Sequence, residues 1–288
     1  MLFGRGLYKL HEVVRPLKRK DRCDEIVSDL VVFPGLHVDQ AWGVAQALGF
    51  RAIDLKLLHG AALDRARIIS DPEAAAQALD GITAANIYWM FGADIGENAV
   101  SDPGAKAHNE AEFVRVCRFA QALGCPTIFV LPGVAGPGAF DAAVAGLRGL
   151  EKIARHHRVQ LTVEPHVGGL LTSPTETLMM LAAVPGLKLA LDYAHFACMG
   201  FRQVEVDVLA PHAGHVHMRQ ARPGALQAKW GEGVLDFTAM VGVLRAAGYQ
   251  GYLAVEYVHQ AYMGTLFDDV LTETVRMRNH LRDCGVKL

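Results

Sequence analysis

No CxxC spacing occurs anywhere in the 288 residues, and the five cysteines (Cys23, Cys117, Cys125, Cys198, Cys284) are odd in number. Such a set builds neither a disulfide framework nor a thiolate zinc site, and it fits a reducing, cytoplasmic setting. Long apolar runs are missing as well. No stretch reaches the ~18 uncharged residues of a membrane span, so no membrane partner is expected. Excess charge is also lacking: the formal net charge is -2, without the basic footprint that nucleic-acid binding requires. The one basic cluster, Arg15 to Arg22, has no apolar segment beside it, so residues 1–25 read as a solvated N-terminal extension rather than a secretory signal. A glycine-rich phosphate turn is absent after the first apolar run, where the chain reads Phe33-Pro34-Gly35-Leu36-His37. That counts against a doubly wound nucleotide-binding sheet, and no phosphorylated substrate is indicated.

What is present is a large apolar fraction, 51% of the chain, enough for a substantial core. It is cut into short runs. Ile26 to Phe33, Arg51 to Leu57, Ile82 to Met90, Thr127 to Leu131, Gln160 to Glu164, Leu187 to Asp192, His215 to Met218 and Tyr252 to Glu256 have strand length and stop at Pro, Gly or a polar residue. Between them lie stretches of helical periodicity with legible ends. Asp71-Pro72 and Ser173-Pro174 start helices, Asp236 caps another, and Gly49 and Gly124 end them. Eight strand–helix units without a break in composition predict an α/β fold, a single-domain (β/α)8 TIM barrel over residues 26–288.

The strand ends carry the chemistry. Glu164, Asp192, His217 and Glu256 close four consecutive strands, and in a barrel those ends converge on one cavity. Ionised carboxylates are rarely buried without a partner. At roughly 5 Å and an effective dielectric near 20, each pair of like charges costs about 3 kcal/mol, which a divalent cation reverses. Three carboxylates and one imidazole suit Mn²⁺, Mg²⁺, Co²⁺ and Zn²⁺ alike and do not choose firmly among them. His215 shares strand parity with His217 and reads as a core or supporting histidine. Lys56, His59, Trp89 and Phe91 are candidates for the pocket mouth.

These features resemble the xylose isomerase-like TIM-barrel superfamily, in particular its sugar (phosphate) isomerase/epimerase branch. The resemblance rests on Glu164, the step Asp192-x-x-His195, the His217 strand with basic residues after it, Gly231-Glu232-Gly233-x-x-Asp236-Phe237, Gly248-Tyr249-x-Gly251 and Glu256, and it spans the chain from residue 27 onward. It implies that Glu164, Asp192, His217 and Glu256 bind one divalent metal ion, that Glu164 and Glu256 act as acid and base, and that His195 contacts substrate. His166, Arg219 and Arg222 are further candidates for substrate binding. Metal-assisted enolisation of a keto-sugar or related polyol is the implied chemistry, giving isomerisation or epimerisation. A metal-dependent lyase acting on an oxo-sugar or sugar acid is the alternative. The superfamily's apurinic endonucleases are similar in fold but carry extra zinc ligands at positions that here hold Leu131-Pro132-Gly133 and Ala225-Leu226-Gln227. Gln220 stands where many epimerases have an acidic residue. The expected partner is a small sugar-like molecule, with homo-oligomerisation left open.

Overall fold

The computed structural model describes residues 25–29, 35–57, 63–259, 263–266 and 268–288. The N-terminal extension up to residue 24, the end of the first apolar run and His59 lie outside the described residues.

Eight parallel strands form a closed barrel in sequence order: β1 (Glu25–Asp29), β2 (Ile53–Leu57), β3 (Ala84–Trp89), β4 (Thr127–Val130), β5 (Gln160–Val163), β6 (Lys188–Asp192), β7 (Ala213–Met218) and β8 (Tyr252–Val255). Closure pairs β1 with β8, Val27 standing opposite Ala254. The helices are α1 (Val38–Ala47), α2 (Arg65–Ser70), α3 (Pro72–Gln77), α4 (Lys106–Leu123), α5 (Ala139–His156), α6 (Pro174–Ala183), α7 (Tyr193–Cys198), α8 (Gln203–Val206), α9 (Phe237–Ala246) and α10 (Val270–Asp283). A 3-10 turn over Asp207–His212 follows α8.

The helix starts obey local chemistry. Ser173 accepts from the Glu176 amide ahead of Pro174 at the first helical position, and Asp71 does the same for α3 through the Ala74 amide. Asp236 accepts from the Ala239 amide to open α9. Each such cap is worth about 1 kcal/mol. Two short helices, α2 and α7, are finer than apolar periodicity resolves.

Alternation along the strands divides the core in two. Outward-facing Ile53, Leu55, Leu57, Ile87, Ile128 and Leu189 pack against helix residues such as Phe113, Leu147 and Met277. Inside the barrel sit Val27, Ala52, Ala85, Tyr252 and Ala254, and separately Tyr88, Phe129, Leu131 and Ala190. Tyr88 and Phe129 stack with centroids 4.3 Å apart. The remaining interior positions are polar, and they make the site.

Candidate functional site

Glu164 follows β5 directly, its amide still bonded to Val130 O at 3.2 Å. Glu256 extends β8 in the same way, its amide bonded to Met218 O at 3.1 Å. Asp192 ends β6 and serves two ends at once. Its Oδ1 accepts from the Ala194 amide at 2.8 Å, capping α7, which leaves Oδ2 for the barrel axis. His217 sits on β7 with Nδ1 2.7 Å from Glu164 Oε1 and 3.4 Å from Glu256 Oε2. All four side chains are buried, and one donor atom from each lies within 4.8 Å of the others.

Donors on opposite sides of a small divalent ion stand about 4.2 Å apart, so the four are close to a coordination sphere and need only a slight contraction. Glu256 Oε2 has no hydrogen-bond partner among the described residues, as a lone pair aimed at an ion requires. The cluster could therefore hold a divalent cation. A second grouping, Glu164, His166 and His195, shares Glu164 with it.

Two cations of the chain itself enter the cluster. Lys56, from β2, makes an ion pair with Glu256 Oε1 and lies 3.3 Å from Asp29 Oδ2. Arg219, one inward position beyond His217, places Nη2 2.6 Å from Asp192 Oδ2 and 3.6 Å from Glu256 Oε2. Among the described residues, five buried carboxylates (Asp29, Asp54, Glu164, Asp192, Glu256) thus gather in this part of the barrel with two permanent side-chain cations, Lys56 and Arg219. The imbalance leaves a formal excess of negative charge that favours a dication.

The protonation pattern follows. Burial pushes the Asp29 carboxyl up to about 7, even with Lys56 beside it. Burial opposes ionisation of Glu256 too, but Arg219, Lys56 and His217 outweigh it and hold this carboxyl well below the usual range. For Lys56, burial would favour the neutral amine, yet Asp29 and Glu256 raise its pKa and keep it an ammonium. Burial raises Asp192 against the pull of Arg219. His195 is lowered by burial, with His166 and Arg219 adding to the effect. It is therefore neutral at pH 7. The Val167 amide donates to its Nδ1 at 3.1 Å, while Nε2 lies 3.0 Å from Arg219 Nη2 and faces Asp192 Oδ2 at 3.6 Å and Glu164 Oε2 at 3.9 Å. His195 thus stands against the strand-end carboxylates with Arg219 beside its Nε2.

His166 is half-buried, with its ring centroid 4.2 Å from that of His195. Its Nδ1 lies 2.7 Å from Val167 O, leaving Nε2 as the nitrogen able to accept. Lys56, Arg219, His195 and His166 thus gather round the four strand-end residues. Trp89 and Arg222 do not. Trp89 faces outward into the layer between barrel and helices, where the Arg65 guanidinium lies 3.8 Å from its ring centroid. Its neighbour Tyr88 holds the inward position. Arg222 is exposed and pairs by backbone with Ala225 in the loop beyond β7. Gln220 is buried and structural: Nε2 donates to Leu235 O at 3.0 Å, and Oε1 accepts from the Leu235 amide at 2.9 Å. Sequence reasoning assigned nothing to Asp29 and Asp54. Charged residues on the inward parity of β1 and β2 were the available signal.

The family model for the xylose isomerase-like TIM barrel matches residues 42–283. The chain belongs to this family. It is 30% identical over 188 residues to a putative hydroxypyruvate isomerase of Mus musculus, an alignment that covers 57% of this chain and 64% of the relative, so the chain spans less than two thirds of that protein's length. Among solved structures, a D-allulose 3-epimerase from Methylomonas sp. superposes with a TM-score of 0.70 at 18% identity, covering 92% of this chain and 98% of the other. The IolI protein, whose structure has a binding zinc atom, gives a TM-score of 0.68 at 16% identity, with 90% and 97% covered. At these identities the superpositions establish the shared fold.

Proposed function

We propose that this chain is a divalent-cation-dependent isomerase or epimerase of a small hydroxy-carbonyl compound of the sugar or hydroxy-oxo-acid class, working through an enediolate. The observation that carries the reading is the convergence of Glu164, Asp192, His217 and Glu256, with all four donor atoms within 4.8 Å of one another and all four side chains buried. The comparisons support it: a relative carries the name putative hydroxypyruvate isomerase, and a protein of the same fold is a D-allulose 3-epimerase.

Glu164, Asp192, His217 and Glu256 would hold the divalent cation, which when bound would polarise a substrate carbonyl and make the neighbouring C–H proton easier to remove. The rest falls to the chain. Glu256, a carboxylate paired with Lys56 and 3.6 Å from Arg219, is the group we assign to accept the proton. Glu164, anchored to His217 at 2.7 Å, is suited to return one to the other face or the adjacent carbon. His195 and Arg219, 3.0 Å apart through Nε2 and Nη2, together face the place of a substrate oxygen. Arg219 offers guanidinium N–H groups to a hydroxyl or carboxylate at the same end of the cavity. The burial of these groups keeps water from the carbanion-like intermediate. Mn²⁺ is the first candidate, followed by Mg²⁺, Co²⁺ and Zn²⁺.

The test is solvent-deuterium exchange into hydroxypyruvate and into ketoses, with and without Mn²⁺. We expect cation-dependent exchange, reduced about 10²- to 10⁴-fold in Glu164→Gln and Glu256→Gln. Unchanged exchange in both variants would remove the acid/base assignment. Product mass separates this reading from a lyase, because isomerisation conserves mass whereas elimination or decarboxylation does not.

A further inference from the structure

Beneath the four-residue cluster, a second buried group spans the barrel. Asp54, on β2, lies 2.5 Å through Oδ2 from His215 Nε2 on β7. The same oxygen is 3.6 Å from His217 Nε2. Asp54, His215 and His217 are each about 1% exposed, so no bulk water reaches them. Among the described residues, His217 Nε2 and Asp54 Oδ1 both lack a hydrogen-bond partner. A buried donor and a buried acceptor left unmade cost about 1–3 kcal/mol each, and these belong to two side chains that meet at 3.6 Å.

The ring of His217 has little freedom to resolve this by turning over. The Phe129 and His215 rings each stand in T-shaped contact with it, both with centroids 5.2 Å away. Phe129 is itself fixed by its stack on Tyr88. His217 Nδ1 is therefore committed to the side of Glu164 and Glu256, and Nε2 to the side of Asp54. A neutral imidazole offers a lone pair at only one nitrogen. To present it at Nδ1, the ring must carry its proton on Nε2 and have an acceptor for it.

We propose that Asp54 is that acceptor, a positioning residue that fixes the tautomer of His217 and so sets how tightly the cluster binds a divalent cation, with His215 acting as the strut that aims the Asp54 carboxylate. This rests on the cation-binding reading of the cluster above. Asp54 touches neither the cavity nor a reacting atom, and its effect passes entirely through His217. His215 bonds the oxygen that would otherwise drift from the His217 ring, so removing either strut member loosens the same contact.

The experiment is chelator-competition titration of Mn²⁺ and Zn²⁺ against wild type, Asp54→Ala, Asp54→Asn and His215→Asn. Circular-dichroism melting shows which variants are folded. We expect one ion per chain in wild type and a 10- to 100-fold loss of affinity in Asp54→Ala, the range typical of removing an imidazole's outer partner. Asp54→Asn, which keeps an acceptor oxygen, recovers part of the loss. Ring ¹⁵N shifts of the zinc-loaded protein should report His217 bound through Nδ1 in wild type and a mixture of nitrogens in Asp54→Ala. Should Asp54→Ala not fold, Asp54→Asn and His215→Asn carry the test, each with a several-fold loss expected. Affinities within twofold of wild type in the folded variants refute the brace while leaving the cation site standing. Two ions per chain, one abolished by Asp54→Ala, would make Asp54, His215 and His217 a site in their own right and overturn the proposal. A wild-type chain that binds no divalent ion overturns the cation reading and the brace together.

Discussion

Replacing Lys56 by methionine separates charge compensation from packing in the site, because methionine keeps most of the stem volume and removes only the ammonium. Lys56 Nζ is 3.3 Å from Asp29 Oδ2 and pairs with Glu256. At 3.3 Å and an effective dielectric near 20, the first attraction alone is about 5 kcal/mol. The net loss is smaller. Asp29 already titrates near 7, and without the ammonium beside it the carboxyl binds a proton more readily, so at pH 7 it escapes most of the penalty by neutralising. Glu256 has no such escape, since Arg219 at 3.6 Å still favours the carboxylate. One buried charge has then lost its nearest partner, which places the destabilisation of metal-free Lys56→Met at the lower end of the 3–5 kcal/mol typical of broken buried pairs, near 3 kcal/mol. Urea unfolding of the metal-free protein at pH 7 measures it. Saturating Mn²⁺ should recover part of the loss, because the dication replaces the missing positive charge, and the variant should bind Mn²⁺ more tightly than wild type. A variant within about 0.5 kcal/mol of wild type, with unchanged Mn²⁺ affinity, would refute the compensation argument.

Other outcomes follow from the same geometry. Burial opposes protonation of His217, but Glu256, Asp54 and Glu164 raise its pKa well above 6.5. Its contribution to metal-free stability is therefore full below the unfolded value near 6.5 and lost as pH rises through the higher folded value. Cation binding requires the neutral ring, so Mn²⁺ affinity should rise over that window, with proton release read by calorimetry in two buffers of different ionisation enthalpy; falling affinity would contradict it. Gln220→Glu should cost about 1–3 kcal/mol in urea unfolding, because a carboxylate cannot donate to Leu235 O. Unaltered stability would mean that this amide does not brace the loop. Gly133→Ala should destabilise by about 1–3 kcal/mol, since φ is +96° and an added Cβ would come within 2.7 Å of Ser101 Cβ and 2.8 Å of its amide nitrogen. A neutral result in thermal melting would show that the Ser101 segment yields easily.

The sequence by itself determined the barrel and pointed to the strand-end residues that the barrel brings together. Eight apolar runs with Pro and Gly stops, alternating with capped helices, are local signals, and local physics suffices to read them. A carboxylate at the end of a buried strand is equally legible, because its cost without a partner is intrinsic to the residue; hence Glu164, Asp192 and Glu256, with His217 completing the series. Strand parity was the weaker signal. Trp89 was read toward the pocket but lies outward beneath Arg65, while Tyr88 takes the inward place. The Asp54 contact with His215 joins residues 161 positions apart, and the Lys56 contact with Glu256 joins residues 200 apart. Only closure of the barrel decides which interior positions of β2 meet those of β7 and β8, since facing across the axis depends on the stagger of all eight strands together. The tertiary structure therefore turned Lys56 from a residue at the pocket mouth into a buried counter-ion, and gave Asp54 a neighbour that its own segment could not reveal.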